Sequence, residues 1–347
     1  MMMKKVLKTL KTLLICIFAA VLLTAAYFYF SPLLIRHNDV KAEGSASWMS
    51  LLPDDMLLSE ISIPGTHDSA TENVMLAYFA KCQASDIRTQ LDDGFRYLDI
   101  RLGVKRIGSE DKLIFYHGFC PCREGWTPWS AKLELSTVLA QCYSFLSDYP
   151  SETIIFTVKM EQGSDLTSFE LLLDSYISKG QDKWLLTDKM PALGECRGKI
   201  VLFRRYEDVC GLGKRAGIHM DWTDQGASFS SDASSVIEKQ ECFTLQIQDR
   251  YKLDPVRKWE VFTKGIEYSL GSDRIVSLSF LSTNGTARFG HPYSHAKDLN
   301  KLFLELDLSA LKTRQAPDIA SFDRSFWIIT DFSDAELASH IYSINFQ

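Results

Sequence analysis

Apolar positions are distributed along this chain in two unlike ways. From Leu13 to Phe30 every position except Thr24 is apolar, and the run continues through Leu33, Leu34 and Ile35. That length spans a hydrocarbon core of roughly 30 Å and exceeds the apolar core of roughly 7–15 residues in a cleaved signal. Beyond it, eight short β-branched or aromatic runs follow one another: Glu60–Ile63, Tyr97–Leu102, Leu113–Tyr116, Thr153–Val158, Ile200–Phe203, Phe243–Ile247, Ile275–Phe280 and Phe326–Ile329. The stretches between them are long enough for crossovers, and Leu135–Leu146 and Leu166–Ile177 repeat with a helical period. Strands alternating with helices predict a parallel sheet, and eight of them predict closure into a TIM-type β/α barrel. An open doubly wound sheet is the alternative, although the chain has no Gly-x-Gly-x-x-Gly turn. The expected organisation is an N-terminal signal-anchor or signal peptide with a short linker at 1–46, then a single barrel at 47–347.

Charge orients the two parts. Lys4, Lys5, Lys8 and Lys11 precede the apolar run and only Arg36 closely follows it, which places the N-terminus inside and the barrel outside the cytoplasm. Tyr27–Phe30 stand where an interfacial aromatic belt would lie. Cleavage near Ala25–Ala26 or Ala42 would instead secrete the barrel. Of 38 basic and 44 acidic residues, 34 and 44 lie beyond Ile35, a net charge of −10. So acidic a barrel excludes broad nucleic-acid binding, and 46% apolar content over 347 residues excludes a disordered chain. Export permits disulfides. Cys82, Cys120, Cys122, Cys142, Cys196, Cys210 and Cys242 remain outside the apolar run. The Cys120-Pro121-Cys122 pair is too short for a usual zinc spacing, so bridges or buried thiols are expected rather than metal.

The chemistry gathers at the strand ends. His67 and Asp68 follow the first run; Asp99 and Arg101 end the second, His117 the third and Lys159 the fourth. Arg204 and Arg205 follow the fifth, Asp249 and Tyr251 the sixth, and Asp331 the eighth. Barrel active sites are built at the C-terminal strand ends. A lone charge there is usually the first solvated loop position; seven of eight ends carrying one, with two of the seven histidines, point to a site. Two histidines with nearby acids can share proton removal and delivery. Arg101, Lys159 and Arg205 would line the mouth with cations suited to phosphate oxygens. This pattern describes metal-free phosphodiester cleavage. Asp68, Asp99 and Asp331 could instead converge on a cation, a rival that Arg101, two residues from Asp99 on the same strand face, argues against.

Several blocks resemble bacterial phosphatidylinositol-specific phospholipase C of the metal-independent X-domain type. They are Ile61-Ser62-Ile63-Pro64-Gly65-Thr66-His67-Asp68-Ser69, Tyr97-Leu98-Asp99-Ile100-Arg101, His117-Gly118, Tyr149–Ile155, Arg197–Leu202 with Arg204-Arg205-Tyr206, and Gln248-Asp249-Arg250-Tyr251. The resemblance runs in order from about Met49 to about Asp331. It implies a distorted barrel and phosphodiester cleavage of phosphatidylinositol to diacylglycerol and inositol 1,2-cyclic phosphate, without a cofactor. His67 would take the proton from the inositol 2-hydroxyl and His117 would protonate the departing diacylglycerol. Asp331 would orient His67, and Asp99 would orient His117. Arg101, assisted by Asp68, would hold the phosphoryl oxygens where calcium sits in metal-dependent relatives. Lys159, Arg205 and Asp249 would bind inositol hydroxyls, with Tyr251 stacking on the ring. The implied partner is phosphatidylinositol in a bilayer, reached through residues 12–35, with no obligate protein partner.

The chain departs from the family at the rim. Arg288 in Gly285–Tyr293 stands where an exposed aromatic is often found. Met75, Leu76, Tyr78, Phe79, Trp126 and Trp129 are candidates to replace it. Two other classes of function stay open at this level: a membrane-anchored inositol- or phosphate-binding barrel without catalysis, and a metal-dependent glycerophosphodiesterase.

Overall fold

The computed structural model describes residues 2–226, 229, 236–239, 244–270, 275–286, 290–308, 310 and 324–347; Cys242, Phe243 and Arg288 lie outside the described residues. Among the described residues, twelve strands join one curled sheet. They are β1 (Ile63–Thr66), β2 (Tyr97–Ile107), β3 (Glu110–His117), β4 (Cys120–Pro121), β5 (Ile154–Gln162), β6 (Trp184–Leu185), β7 (Ile200–Arg204), β8 (Ile218–His219), β9 (Val236–Lys239), β10 (Thr244–Gln248), β11 (Ile275–Phe280) and β12 (Arg324–Thr330). The path runs β6-β7-β5-β2-β1-β12-β11-β10-β9, with β8 on β7. First and last strands meet: β1 pairs in parallel with both β2 and β12, as barrel closure demands. At the opposite side, no pairing joins β8 to β9 or β10 among the described residues. The result is a distorted β/α barrel.

Two expectations are corrected. The first strand begins later than the apolar run at Glu60–Ile63 suggests: Leu58–Glu60 form a 3₁₀ turn and β1 starts at Ile63, because the Glu60 carboxylate accepts the Leu57 N–H and caps the turn. The third run is not a parallel barrel strand. It belongs to β3, which pairs antiparallel with β2. Ile107 pairs with Glu110 across only Gly108 and Ser109, and Gly108 has φ +62°; a two-residue turn of this kind forces an antiparallel return.

Helices α1 (Met2–Phe30), α2 (Ala77–Ala80), α3 (Ile87–Asp92), α4 (Leu135–Asp148), α5 (Leu166–Ser178), α6 (Leu193–Cys196), α7 (Pro255–Leu270), α8 (Pro292–Leu304) and α9 (Ala335–Tyr342) complete the described elements. Pleat alternation divides the core. Tyr97, Ile155, Val201, Phe203 and Trp327 pack inside the barrel, while Leu98, Ile154, Phe156, Ile200 and Leu202 pack outward beneath α3, α4 and α5. Gly65 lies at the tightest crossing. A Cβ there would meet Tyr97 Cβ at 2.9 Å and overlap Ile329 Cδ1, so only glycine lets β1 sit between its neighbours. Beneath the barrel Arg96 and Glu152, both fully buried, pair at 2.8 Å.

Met2–Leu34 is long and apolar enough to cross a membrane, an 18-residue window within it having a mean hydropathy of 2.4 and none of that window being buried. Its aromatic end touches the barrel: Tyr27 and Phe28 meet Tyr78 at ring distances of 5.8 and 4.7 Å. The described cysteines are all free thiols, and the alternative of buried thiols holds for Cys82, Cys120, Cys122, Cys142 and Cys196, while Cys210 is partly exposed.

Candidate active site

Side-chain alternation explains why the site assembles. Tyr97 points into the barrel, so Asp99 and Arg101 at the next two same-face positions do too. On β5, Ile155 sets the same face for Thr157, Lys159 and Glu161, and the register pairs Arg101 with Lys159. On β7, Phe203 points inward, so Arg205 follows it and Arg204 faces away. The Arg205 N–H donates to the Val158 carbonyl, extending the ladder by one residue. These side chains meet those of the β1, β10 and β12 ends around a cavity of about 230 Å³. His67, His117, Arg101, Lys159, Arg205, Asp249, Tyr251 and Asp331 line it. Asp68 and Asp99, buried, support it from beneath.

His67 Nδ1–H donates to Asp331 Oδ1 at 2.8 Å, which fixes the tautomer and turns Nε2 into the cavity. Nε2 lies 3.3 Å from Asp68 Oδ2. Burial opposes protonation of His67, but the Asp331 and Asp68 carboxylates outweigh it and raise its pKa above 6.5. Asp68 has φ +42°, a left-handed conformation that aspartate adopts more readily than most residues. It turns the chain so that His67 and Asp68 both reach the same space.

His117 faces His67 with ring centroids 6.2 Å apart. Its Nδ1–H donates to the Ala80 carbonyl at 2.7 Å, and Nε2 lies 3.6 Å from Asp68 Oδ2. The expectation that Asp99 orients His117 is therefore corrected. Asp99 holds the arginines instead: Arg101 Nη2 and Nε at 2.8 and 3.0 Å, and Arg205 Nη1 at 3.4 Å. Burial alone would favour protonated Asp99, but the two guanidinium groups hold its carboxyl far below the usual range. The remaining Arg101 nitrogen reaches Asp68 at 3.1 Å. One guanidinium thus occupies the space between the two carboxylates best placed to share a cation.

Lys159 pairs with Glu161 at 2.6 Å, and Glu161 also accepts the Gly118 N–H at 2.9 Å. Arg205 stacks 3.4 Å above the Trp222 ring. Tyr251 donates its hydroxyl to Asp224, and burial raises its pKa to about 12. Burial raises the Asp249 pKa, with Arg205 opposing. The expected cationic mouth is in fact a set of paired charges. The strand-end pattern misses Glu161, Asp224, Trp222 and Cys82. Glu161 carries a signal, its spacing of two from Lys159; Trp222 and Asp224 lie outside any strand and carry none. At the rim, Trp126 and Trp129 are 56% and 83% exposed rather than core residues.

Two imidazoles facing each other beside a carboxylate-held guanidinium, at strand ends of a β/α barrel, are groups with which acid–base chemistry at a phosphoryl group can be done. Residues 58–206 match the family model described as phosphatidylinositol-specific phospholipase C, X domain. The chain is 28% identical to the Staphylococcus aureus (strain NCTC 8325 / PS 47) 1-phosphatidylinositol phosphodiesterase, covering 94% of each chain. It is 36% identical to the Listeria monocytogenes protein of that name over 45% of this chain and 47% of that one. A solved structure of the S. aureus phosphatidylinositol-specific phospholipase C superposes with a TM-score of 0.67 at 25% identity, over 85% of this chain and 97% of that one. Over these spans the chain is similar to bacterial phosphatidylinositol-specific phospholipases C.

Proposed function

We propose that this chain cleaves phosphatidylinositol by intramolecular attack, yielding diacylglycerol and inositol 1,2-cyclic phosphate. The observation that carries the reading is the convergence of two Nε2 atoms, 3.3 and 3.6 Å away, and of the Arg101 guanidinium, 3.1 Å away, on the one oxygen Asp68 Oδ2. His67 takes the proton of the inositol 2-hydroxyl. The resulting alkoxide attacks phosphorus, and Arg101 neutralises the charge developing on the phosphoryl oxygens. His117 delivers its Nε2 proton to the departing diacylglycerol oxygen. Asp331 holds His67 in the working tautomer and stabilises its imidazolium. Lys159, Arg205 and Asp249 face the inositol hydroxyls, and Tyr251 offers its ring. No step needs a metal, because the guanidinium does the neutralising.

We further propose that residues 1–46 anchor the barrel at 47–347 on the outer face of the membrane. An apolar cavity of about 450 Å³ separates the end of α1 from residues 72–81 and 123–128 beside the active site. An emerging helix seated there keeps the mouth at headgroup level. Sequencing the N-terminus of the membrane-bound and released protein tests this; a mature chain beginning after Ala26 or Ala42 would refute the anchor.

The catalytic reading is tested on phosphatidylinositol vesicles with chelator present. Diacylglycerol and the cyclic phosphate are expected. Activity lost in chelator and restored by calcium would refute the metal-free mechanism, and binding of myo-inositol without turnover would show a silent barrel.

A further inference from the structure

The ring of His117 is oriented by a backbone atom, the Ala80 carbonyl, 2.7 Å from Nδ1. The Cys82 sulfur, 3.8 Å from the same nitrogen, is a weak acceptor and no substitute for it. Ala80 is the last residue of α2, a single helical turn that starts at Ala77. Carbonyls of a last turn have no partner inside their helix, which leaves that of Ala80 free for the imidazole. Any shift of α2 carries with it the carbonyl that holds His117.

One turn of helix does not stand by itself. Leu76 caps α2 at φ +55°, a left-handed conformation that is uncommon for leucine and persists where the surroundings impose it. Leu76 is itself 51% exposed, so its own packing does not supply that constraint. The support comes from α1. α2 packs chiefly against the end of α1, the 3₁₀ turn Ser31–Leu34 that follows it, and α8. Phe28 meets the rings of Tyr78 and Phe79 at 4.7 and 5.5 Å, and Tyr27 meets Tyr78 at 5.8 Å. Tyr78 also stacks on His291, 4.1 Å away. Such ring pairs stabilise beyond the area they bury, and here they fall on the two residues directly before Ala80.

We propose that the aromatic end of α1 positions His117. Tyr27 and Phe28 clamp Tyr78 and Phe79, α2 is held in place, and the Ala80 carbonyl keeps His117 Nε2 turned toward the leaving group. None of these four rings lines the catalytic cavity; they are positioning residues. The barrel therefore works fully only with α1 seated on it, and a barrel released by cleavage after Ala42 loses acid assistance. The effect on rate rests on the catalytic reading of His117; the positioning of the ring does not.

The test uses the full chain in detergent micelles and two water-soluble inositol phosphodiesters, one with an alkyl alcohol as leaving group and one with nitrophenol. Soluble substrates remove any effect of the rings on meeting a bilayer. Phe28→Ala and Tyr78→Ala should each lower kcat on the alkyl ester about tenfold, and by less than about twofold on the nitrophenyl ester, which departs unprotonated. Phe28→Tyr, which keeps a ring, and Phe18→Ala, at an exposed position earlier in α1, should match the parent on both esters. The nitrogen-15 spectrum of labelled histidine, read where the rings are neutral, should show His117 protonated at Nδ1 in the parent and divided between Nδ1 and Nε2 in Phe28→Ala. Equal losses on the two esters, no loss on either, or an unmoved His117 spectrum would overturn the proposal. A His117 spectrum that changes in Phe28→Ala on a chain that cleaves neither ester would uphold the positioning and refute the catalytic reading.

Discussion

His67 and His117 face the same Asp68 oxygen but are held by different partners. A buried carboxylate backs His67, whereas a peptide carbonyl backs His117. The carboxylate stabilises positive charge on its ring; the carbonyl fixes orientation and adds no formal charge. A base that must accept a proton gains from the first arrangement, and an acid that must give one up gains from the second. In the proposed mechanism, the different supports match the different tasks of the two imidazoles.

The largest expected effects come from removing either ring. His67→Ala and His117→Ala should each lower kcat by roughly a hundred- to ten-thousandfold. They should differ in one respect. A water-soluble inositol phosphodiester with a nitrophenol leaving group needs no protonation on departure, so it should largely rescue His117→Ala and not His67→Ala. Equal rescue of both would erase the assigned division of labour. Next, Arg101→Gln should cost roughly a hundred- to thousandfold in kcat while moving KM less, since its charge acts most on the transition state. A pure KM effect would show a binding role only.

Asp331→Asn should lower kcat by about a hundredfold and also move the pH profile. The base works only when neutral, and its pKa is raised in the native site, so activity falls as pH drops through a value above 6.5. Without the carboxylate this acidic limb should move to lower pH; an unmoved limb would show that Asp331 does not set the base. The smallest effect is expected from Glu161→Ala, which frees the Gly118 N–H beside His117 and leaves Lys159 unpaired. A severalfold loss confined to the His117 side, with the acidic limb unchanged, is the outcome to look for by kcat/KM against pH.

Most of this site is legible in the linear sequence, because strand ends display their polar residues at fixed spacing. Eight of the strand-end residues line one cavity, and Asp68 and Asp99 hold its arginines. What escapes is set by things a linear pattern does not carry. The Ala80 carbonyl that orients His117 belongs to the backbone, so no residue type announces it. The antiparallel course of β3 follows from the two-residue turn at Gly108, while its apolar run resembles those of the parallel strands. Glu161 stands beyond the apolar run of its strand, where β5 in fact continues to Gln162.

The pairing of charges around the cavity has a consequence for selectivity. Arg101 is answered by Asp68 and Asp99, Lys159 by Glu161, and Arg205 by Asp99, so these cations hold little unspent attraction for a second anion. A headgroup with one phosphodiester meets a guanidinium already aimed at it. A headgroup carrying further phosphates on the ring would press them toward Glu161 and Asp249. On the proposed mechanism, such a pocket would by electrostatic exclusion favour the least phosphorylated inositol lipid.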